Sequence, residues 1–235
     1  MLAPSVRHMA FVRADGQAFA FVPGQFVQVH FHYADGKPTK RSYSVATIGA
    51  GSGAVEQLEI AVSYVDGGAA TDLLANLKEG DNIDGSGPYG RFCLMDADVN
   101  RRYLLVATGT GVTPYRSMLP QLERLMSARD IQVALVYGAR NEAELLYADE
   151  FEAFAQNNPN FHFYACLSRT PRSLPRPHDR SGHVQVALTE LAPDAAHDVA
   201  YLCGNPDMVD QAFAQLKEAG LPIPHIRREK YVSSR

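Results

Sequence analysis

Tyr103-Leu104-Leu105-Val106-Ala107-Thr108-Gly109-Thr110-Gly111-Val112-Thr113-Pro114 is the stretch that decides the fold of this chain. Tyr103 to Ala107 is a continuous apolar run, the pattern of a central parallel strand that is buried on both faces and has no polar side to show. It runs straight into a glycine turn. Met118, Leu119, Leu122, Leu125 and Met126 then recur at helical spacing, so a helix follows. Thr113 is expected to cap that helix and Pro114 to occupy its first position, where a missing N–H costs nothing. Pro120 is expected to kink or break it after its first turns. Strand, glycine turn and helix start together aim backbone N–H groups at one point, an arrangement that binds a dinucleotide pyrophosphate. The segment departs from the six-residue glycine fingerprint. Thr108, Gly109, Thr110, Gly111 and Thr113 are the candidates for that contact.

The alternation continues toward the carboxyl end. Ile131 to Tyr137 reads as a strand ending in Gly138-Ala139-Arg140, Asp149 to Gln156 as a helix, and Phe161 to Leu167 as a strand ending in Ser168-Arg169. Ala200-Tyr201-Leu202 leads to Cys203-Gly204-Asn205-Pro206-Asp207-Met208, with Asn205 as cap and Pro206 as first residue of a helix that ends near Gly220. Strands alternating with helices imply a doubly wound parallel sheet, whose ligands sit beyond the carboxyl ends of the strands. Gly109, Gly138, Ser168, Arg169 and Cys203 all fall there. A hydroxyl and a guanidinium at Ser168-Arg169 can hold the 2'-phosphate that separates NADP from NAD; the plainer reading is one surface arginine on a loop that also contains Arg172, Arg176 and Arg180.

The first half has a different character. Val6 to Val12, Phe19 to Val22, Phe26 to Phe31 and Leu58 to Val65 are short runs separated by Gly and Pro turns, which indicates antiparallel β structure. The first of them begins almost at Met1, which raises the expectation that the natural start lies upstream. About six strands and one short helix, ending near Met95, make an antiparallel Greek-key β-barrel the expected architecture. Asp96-Ala97-Asp98 reads as the linker, giving domains over residues 1–96 and 97–235. Within the barrel, Arg41-Ser42-Tyr43-Ser44 carries groups that suit a flavin nucleotide: a planar fork for a pyrophosphate, a ring to lie on a ring, and a hydroxyl for a ring nitrogen. Strand parity puts Arg41 and Tyr43 on one face and Ser42 and Ser44 on the other unless the strand ends there. Gly67-Gly68-Ala69-Ala70-Thr71 runs into the short helix, where a helix start favours an anion; an ordinary strand-to-helix turn is the alternative.

Composition bounds what the chain can do. Hydrophobic residues at 46% and charged residues at 20% of 235 are ordinary for a globular protein, and no apolar run approaches a membrane span. The net charge of −4 argues against a nucleic-acid partner. The start has no basic segment followed by an apolar core, so the cytoplasm is the expected compartment. Cys93, Cys166 and Cys203 are too dispersed for a disulfide framework, a zinc site or an iron-sulfur centre. His30 and His32 share a strand face without a third ligand, and no metal is expected. Arg227-Arg228-Glu229-Lys230-Tyr231-Val232-Ser233-Ser234-Arg235 is a basic tail, either frayed in solvent or steering an anionic cofactor or acidic partner.

The chain resembles the ferredoxin-NADP reductase family of flavoproteins along essentially its whole length. Four motifs in the same order carry the resemblance. Arg41-Ser42-Tyr43-Ser44 matches the flavin motif and Gly67 to Thr71 the second flavin-phosphate segment. Gly109 to Pro114 matches the pyridine-nucleotide segment, and Cys203 to Met208 the segment whose cysteine lies beside the nicotinamide. The resemblance implies FAD and NADP(H) as cofactors, with Arg41 on the pyrophosphate, Tyr43 packed on the isoalloxazine and Ser44 near its N5. It implies further flavin contacts from Ser42, the strand residues Ile60, Ala61 and Val62, Gly67, Gly68, Thr71 and Tyr231. Pyridine-nucleotide contacts are implied for Thr108, Gly109, Thr110, Gly111, Thr113, Arg140, Ser168, Arg169, Cys203, Gly204 and Met208. Ser44, Cys203 and Glu229 are implied to position the two rings. His183 stands where bacterial relatives often carry an arginine. The implied activity is hydride exchange between NADPH and flavin and single-electron exchange with a ferredoxin or flavodoxin, in a protein expected to be a monomer. An oxygenase reductase component, a flavin reductase and a non-catalytic flavin-binding relay subunit are the competing readings.

Overall fold

The computed structural model describes residues 1–33, 35–49, 54–64 and 69–232. It resolves into two compact units, one of Met1–Leu94 with Thr113–Pro120, the other of Met95–Val112 with Gln121–Val232. Among the described residues no helix is long and apolar enough to cross a membrane.

The first unit contains β1 (Val6–Phe11), β2 (Phe26–His32), β3 (Pro38–Ser44), β4 (Leu58–Ser63), α1 (Ala69–Asn76) and β5 (Asp84–Tyr89). All pairings are antiparallel: β1 with β4, and β2 at the centre of a three-stranded sheet with β3 and β5 on its flanks. An isolated bridge between Val45 and Ile60 ties the chain leaving β3 to β4. Period-two alternation turns Met9, Val29, Leu58, Ile60 and Val62 into one core with Val45 and Leu74. Phe19–Val22, expected as a strand, is reduced to one bridge between Phe19 and Val55. Pro23 offers no N–H, and the Val22 N–H is taken by Gln25 Oε1 at 2.8 Å, so no ladder propagates there.

The second unit is one parallel sheet. It contains β6 (Arg102–Thr108), β7 (Gln132–Ala139), β8 (Phe161–Leu167), β9 (Arg180–Ser181), β10 (Asp198–Gly204) and β11 (Ile226–Lys230), in the order β11-β10-β6-β7-β8-β9. Its helices are α3 (Ala148–Asn157), α4 (Val184–Glu190) and α5 (Pro206–Glu218), and α2 (Thr113–Arg129) follows β6 through a 3₁₀ turn at Gly109–Val112. Leu104, Val106, Ala134, Val136, Ala200 and Leu202 meet α4 and α5 in one cluster. Their strand neighbours Tyr103, Leu105, Val133, Leu135 and Tyr201, which point the other way, are equally inaccessible. That is why these strands read as unbroken apolar runs.

Three local expectations change. The 3₁₀ turn makes Thr113 the first helical residue rather than the cap; Val112 stands at the cap, and the buried Thr113 hydroxyl has no hydrogen-bond partner among the described residues. Pro120 lies inside α2, which runs through it. Arg227 to Lys230 are strand, not tail: Arg227 is held by both oxygens of Asp98 at 2.6 Å and by the Tyr201 hydroxyl. A strand of consecutive charged residues at a sheet edge carries no apolar signal. The seven-residue α4 has no side-chain cap at His183 and was equally silent.

Candidate functional site

The sheet order reverses between β6 and β10. β7, β8 and β9 are added on one side of β6, and β10 and β11 on the other, so the crevice beyond the carboxyl ends of β6 and β10 is the topological switch point where nucleotides bind in such sheets. The residues at that point are Thr108-Gly109 and Cys203-Gly204, paired side by side with Cys203 opposite Ala107. Their closeness depends on missing side chains. A Cβ on Gly111 would lie 2.3 Å from the Cys203 carbonyl oxygen, and one on Gly204 would lie 2.5 Å from that of Thr108. The Thr108 hydroxyl closes the junction by accepting the Asn205 N–H at 3.1 Å. Gly109 differs: its φ is +55°, and nothing lies within 4 Å of where its Cβ would be. The backbone is thus bare on a side open to a ligand, as close approach of a pyrophosphate requires.

Tyr137, at the end of β7, holds this turn from behind. Its fully buried hydroxyl donates to the Gly109 carbonyl at 3.0 Å and accepts the Leu146 N–H at 3.2 Å. Desolvation raises its pKa. Sequence reading passed over it as one more apolar strand residue; a phenol ending an aliphatic run Val133 to Val136 was the available signal. Asn205 caps α5 as expected, accepting from the N–H groups of Asp207 and Met208. Met208 itself is turned into the hydrophobic core, so only its backbone faces the turn side.

At the ends of β7 and β8 the loops are stitched together: the Ser168 N–H and hydroxyl donate to the Ala139 carbonyl, and the Arg169 N–H donates to that of Arg140 at 3.0 Å. The arginines here are not equivalent. Arg140 pairs with Glu144 at 2.6 Å, which raises its pKa, and Arg172, Arg176 and Arg180 each meet at least one carboxylate. Arg169 is exposed and has no ion pair among the described residues. His183 is also exposed.

Cys203 is completely buried. Desolvation, reinforced by the nearby Glu229 carboxylate, pushes its pKa well above the ordinary thiol value, while a hydrogen bond with the Tyr231 side chain pulls it partly back. Glu229 lies opposite Cys203 in the register of β10 with β11, and the Tyr231 N–H continues the ladder to the Gly204 carbonyl at 2.8 Å. Cys203, Glu229 and Tyr231, expected from separate segments, are therefore one cluster. Among the described residues no group of three or more His, Cys, Asp or Glu is placed to hold a metal.

In the first unit, β3 carries the other candidate set. Arg41 and Tyr43 share its half-buried face and Ser42 is exposed. Ser44 breaks the parity and is buried, because β3 ends there and the chain bends toward the Val45 bridge with Ile60. Arg41 is braced by the Tyr33 hydroxyl at 3.1 Å and the Lys40 carbonyl at 3.0 Å, and no carboxylate pairs with it among the described residues. A half-buried guanidinium without an anion fits a phosphate. Tyr43 has its pKa pushed up to about 12, chiefly by burial, so it offers a neutral ring. Ile60 and Val62 are fully inaccessible core residues and Ala61 is nearly so, so these three offer no open surface to a ligand. Thr71 sits in the first turn of α1. Gly67 and Gly68 lie outside the described residues. Tyr33 had no signal in the sequence, since a loop tyrosine is ordinary.

These two sets define a class, a flavin- and pyridine-nucleotide-binding oxidoreductase, and the comparisons agree. Residues 2–93 match the oxidoreductase FAD-binding domain and residues 105–213 the oxidoreductase NAD-binding domain. The chain is 36% identical to a ferredoxin–NADP reductase B of Sorangium cellulosum, covering 98% of this chain and 93% of that one. It is 32% identical to the reductase component of a Rhodococcus jostii propane 2-monooxygenase over 92% of this chain, but spans only 56% of that relative's length. An Amycolatopsis cytochrome P450 reductase structure superposes with a TM-score of 0.82 at 30% identity, covering 98% of this chain and 66% of that one. A Neisseria gonorrhoeae ferredoxin NADP+ reductase with bound FAD and NADP gives 0.78 at 21% identity, covering 97% and 93%, which shows the shared fold. The chain belongs to the ferredoxin–NADP reductase family of NAD(P)H:flavin oxidoreductases.

Proposed function

We propose that this protein is a FAD-dependent ferredoxin(flavodoxin)–NADP(+) reductase, with a flavin domain over residues 1–96 and an NADP domain over 97–235. The observation that carries the choice of NADPH is Arg169, an exposed guanidinium without a carboxylate beside the Ser168 hydroxyl, on a loop whose other arginines are all engaged. A 2'-phosphate supplies the dianion that Arg169 lacks. The chemistry supplied by FAD is acceptance of a hydride from NADPH and its release as single electrons, a property of the flavin itself.

The chain's own residues bind and orient. Arg41 holds the flavin pyrophosphate, Tyr43 lies against the ring system, Ser44 stands near N5, and Ser42, Gly67, Gly68 and Thr71 complete the contact. Gly109 presents bare backbone to the pyrophosphate of the pyridine nucleotide, with Thr108, Thr110, Gly111, Thr113 and Gly204 shaping the turn. Cys203, Glu229 and Tyr231 position the nicotinamide. None of them needs to move a proton, and a buried thiol whose pKa is raised is suited to packing rather than to base chemistry. The partner is an acidic electron-transfer protein, a ferredoxin or flavodoxin, and the setting is a cytoplasmic monomer.

The monooxygenase reductase components among the relatives favour a second reading, a reductase component serving an oxygenase with NADH. An absorbance titration of the FAD-loaded protein under anaerobic conditions separates the two. Bleaching much faster with NADPH than with NADH supports the first; equal bleaching by both moves the assignment to the second.

A further inference from the structure

We propose that Arg172 is a positioning residue for pyridine-nucleotide selection, an internal cation that locks the loop carrying Ser168-Arg169. The inference rests on the proposed 2'-phosphate role of that pair. From Arg169 to Pro177 every residue is exposed except Arg172, whose side chain is 2% accessible. A loop's single inward anchor is ordinarily apolar, because a charge loses its hydration when buried. Here it is an arginine: only Nη1 is hydrogen-bonded, Nε and Nη2 have no hydrogen-bond partner among the described residues, and the charge is balanced by the carboxylates around it.

Three carboxylates from three segments converge on the guanidinium. Nη1 donates to Glu152 of α3, and Nε stands 3.5 Å from Asp179, just before β9, and 3.7 Å from Glu142, in the turn after β7. Arg176 adds a second cation to Glu152 at 3.1 Å. Arg172 therefore joins the far end of its own loop at Asp179, the helix behind it and the neighbouring loop after Arg140. The backbone bonds from Arg169 and Thr170 to the Arg140 carbonyl fix only the beginning of the segment. Beyond Thr170, Arg172 is the buried side chain that ties the loop inward, while the exposed Arg176 holds its return to β9 through Asp179 and Glu152. Without it, Glu152, Asp179 and Glu142 would face one another, and their repulsion would open the loop and release Arg169 from its place beside Ser168.

The consequence is selective. A loop fixed by Arg172 matters to a ligand bearing a 2'-phosphate and little to one without it. The test uses the full-length FAD-loaded protein, with Arg172→Met, which keeps an apolar stem in the buried place, and Glu142→Gln, which removes one outer carboxylate and leaves the anchor. Calorimetric binding of 2'-AMP and 5'-AMP is measured beside KM and kcat with NADPH and NADH. Arg172→Met is expected to weaken 2'-AMP about tenfold and raise KM for NADPH by a similar factor, with 5'-AMP, KM for NADH and both kcat values within about twofold of the parent. Glu142→Gln is expected to leave 2'-AMP binding within about twofold.

Equal losses with both nucleotides, or none, would overturn the role of Arg172 while leaving Ser168-Arg169 intact. If Arg172→Met does not fold, Glu152→Gln replaces it with the same expected selectivity, and unchanged 2'-AMP binding in that variant overturns the proposal. A parent protein that binds 2'-AMP no better than 5'-AMP overturns the 2'-phosphate reading and this inference with it.

Discussion

Glu229 stands directly across from Cys203 in the parallel pairing of β10 and β11, so an acidic side chain and a completely buried thiol occupy neighbouring strands at the carboxyl edge of the sheet. Both desolvation and the carboxylate charge disfavour the thiolate. Cys203 should therefore be unreactive in the native protein. Cys166 is inaccessible as well, and burial pushes it up to about 12. Only Cys93 is partly exposed. Treatment with iodoacetamide near pH 8, read by peptide mass spectrometry, is expected to modify Cys93 first, with Cys166 and Cys203 reacting only in denaturant. Early modification of Cys203 would remove the argument that it packs rather than reacts.

The same shifts make the protein sensitive to alkali. A thiol whose native pKa is raised contributes stability that is fully present below its ordinary value of 9.0 and is lost as pH climbs toward the native value of about 12 for Cys166. In that window the unfolded chain releases a proton that the native chain keeps, so stability falls by about 1.4 kcal/mol per pH unit for each such group. Cys203 and the buried phenol of Tyr137 shift in the same direction. Urea midpoints are expected to be flat from pH 7 to 8.5 and to drop steeply above pH 9.5. A flat profile to pH 11 would show that these groups ionise in place.

Three glycines at one turn should respond differently to alanine. Gly111→Ala and Gly204→Ala each drive a methyl into backbone, 2.3 Å from the Cys203 carbonyl oxygen and 2.5 Å from that of Thr108, and no side chain can swing aside to relieve it. Both are expected to lower the thermal midpoint sharply or to abolish folding. Gly109→Ala meets open space and bears only the left-handed backbone, a cost of about 1–2 kcal/mol. It should fold, yet weaken NADPH and NADH alike, since its methyl occupies the side left open. Thermal melts alongside KM values separate the two behaviours.

What the sequence disclosed follows from where the physics is local. β6, β7 and β10 are buried on both faces and announced themselves as apolar runs, and the Asn205-Pro206 helix start is chemistry of adjacent residues. β11 stayed hidden because Arg227, Arg228, Glu229 and Lys230 are held by neighbours distant in sequence, Arg227 by Asp98 and Lys230 by Asp210. The same reason hid the difference between Arg169 and Arg172. Four arginines on one loop look alike until the carboxylates of other segments are placed among them. Ser44 was legible as chemistry, and its burial is the exception to parity that the sequence left open, since β3 ends there and the chain bends into the bridge between Val45 and Ile60.

Arg41 gives the most direct test of the flavin reading. Its guanidinium is half-buried on β3 and braced by Tyr33 and Lys40, with no carboxylate partner among the described residues, so an incoming phosphate need displace no ion pair. A charge-assisted contact of this kind contributes roughly 1.5–3 kcal/mol, or about 10- to 150-fold in affinity. Arg41→Ala is expected to lose FAD on desalting, seen as a fall in absorbance near 450 nm per chain, with the thermal midpoint of the apoprotein unchanged. Arg41→Lys should recover part of the affinity, since an ammonium keeps the charge and loses the planar fork. Tyr33→Phe removes only the brace, and should weaken FAD by a few-fold. If Arg41→Ala retains flavin as tightly as the parent protein, the pyrophosphate is held elsewhere, and the α1 start at Thr71 becomes the segment to change next.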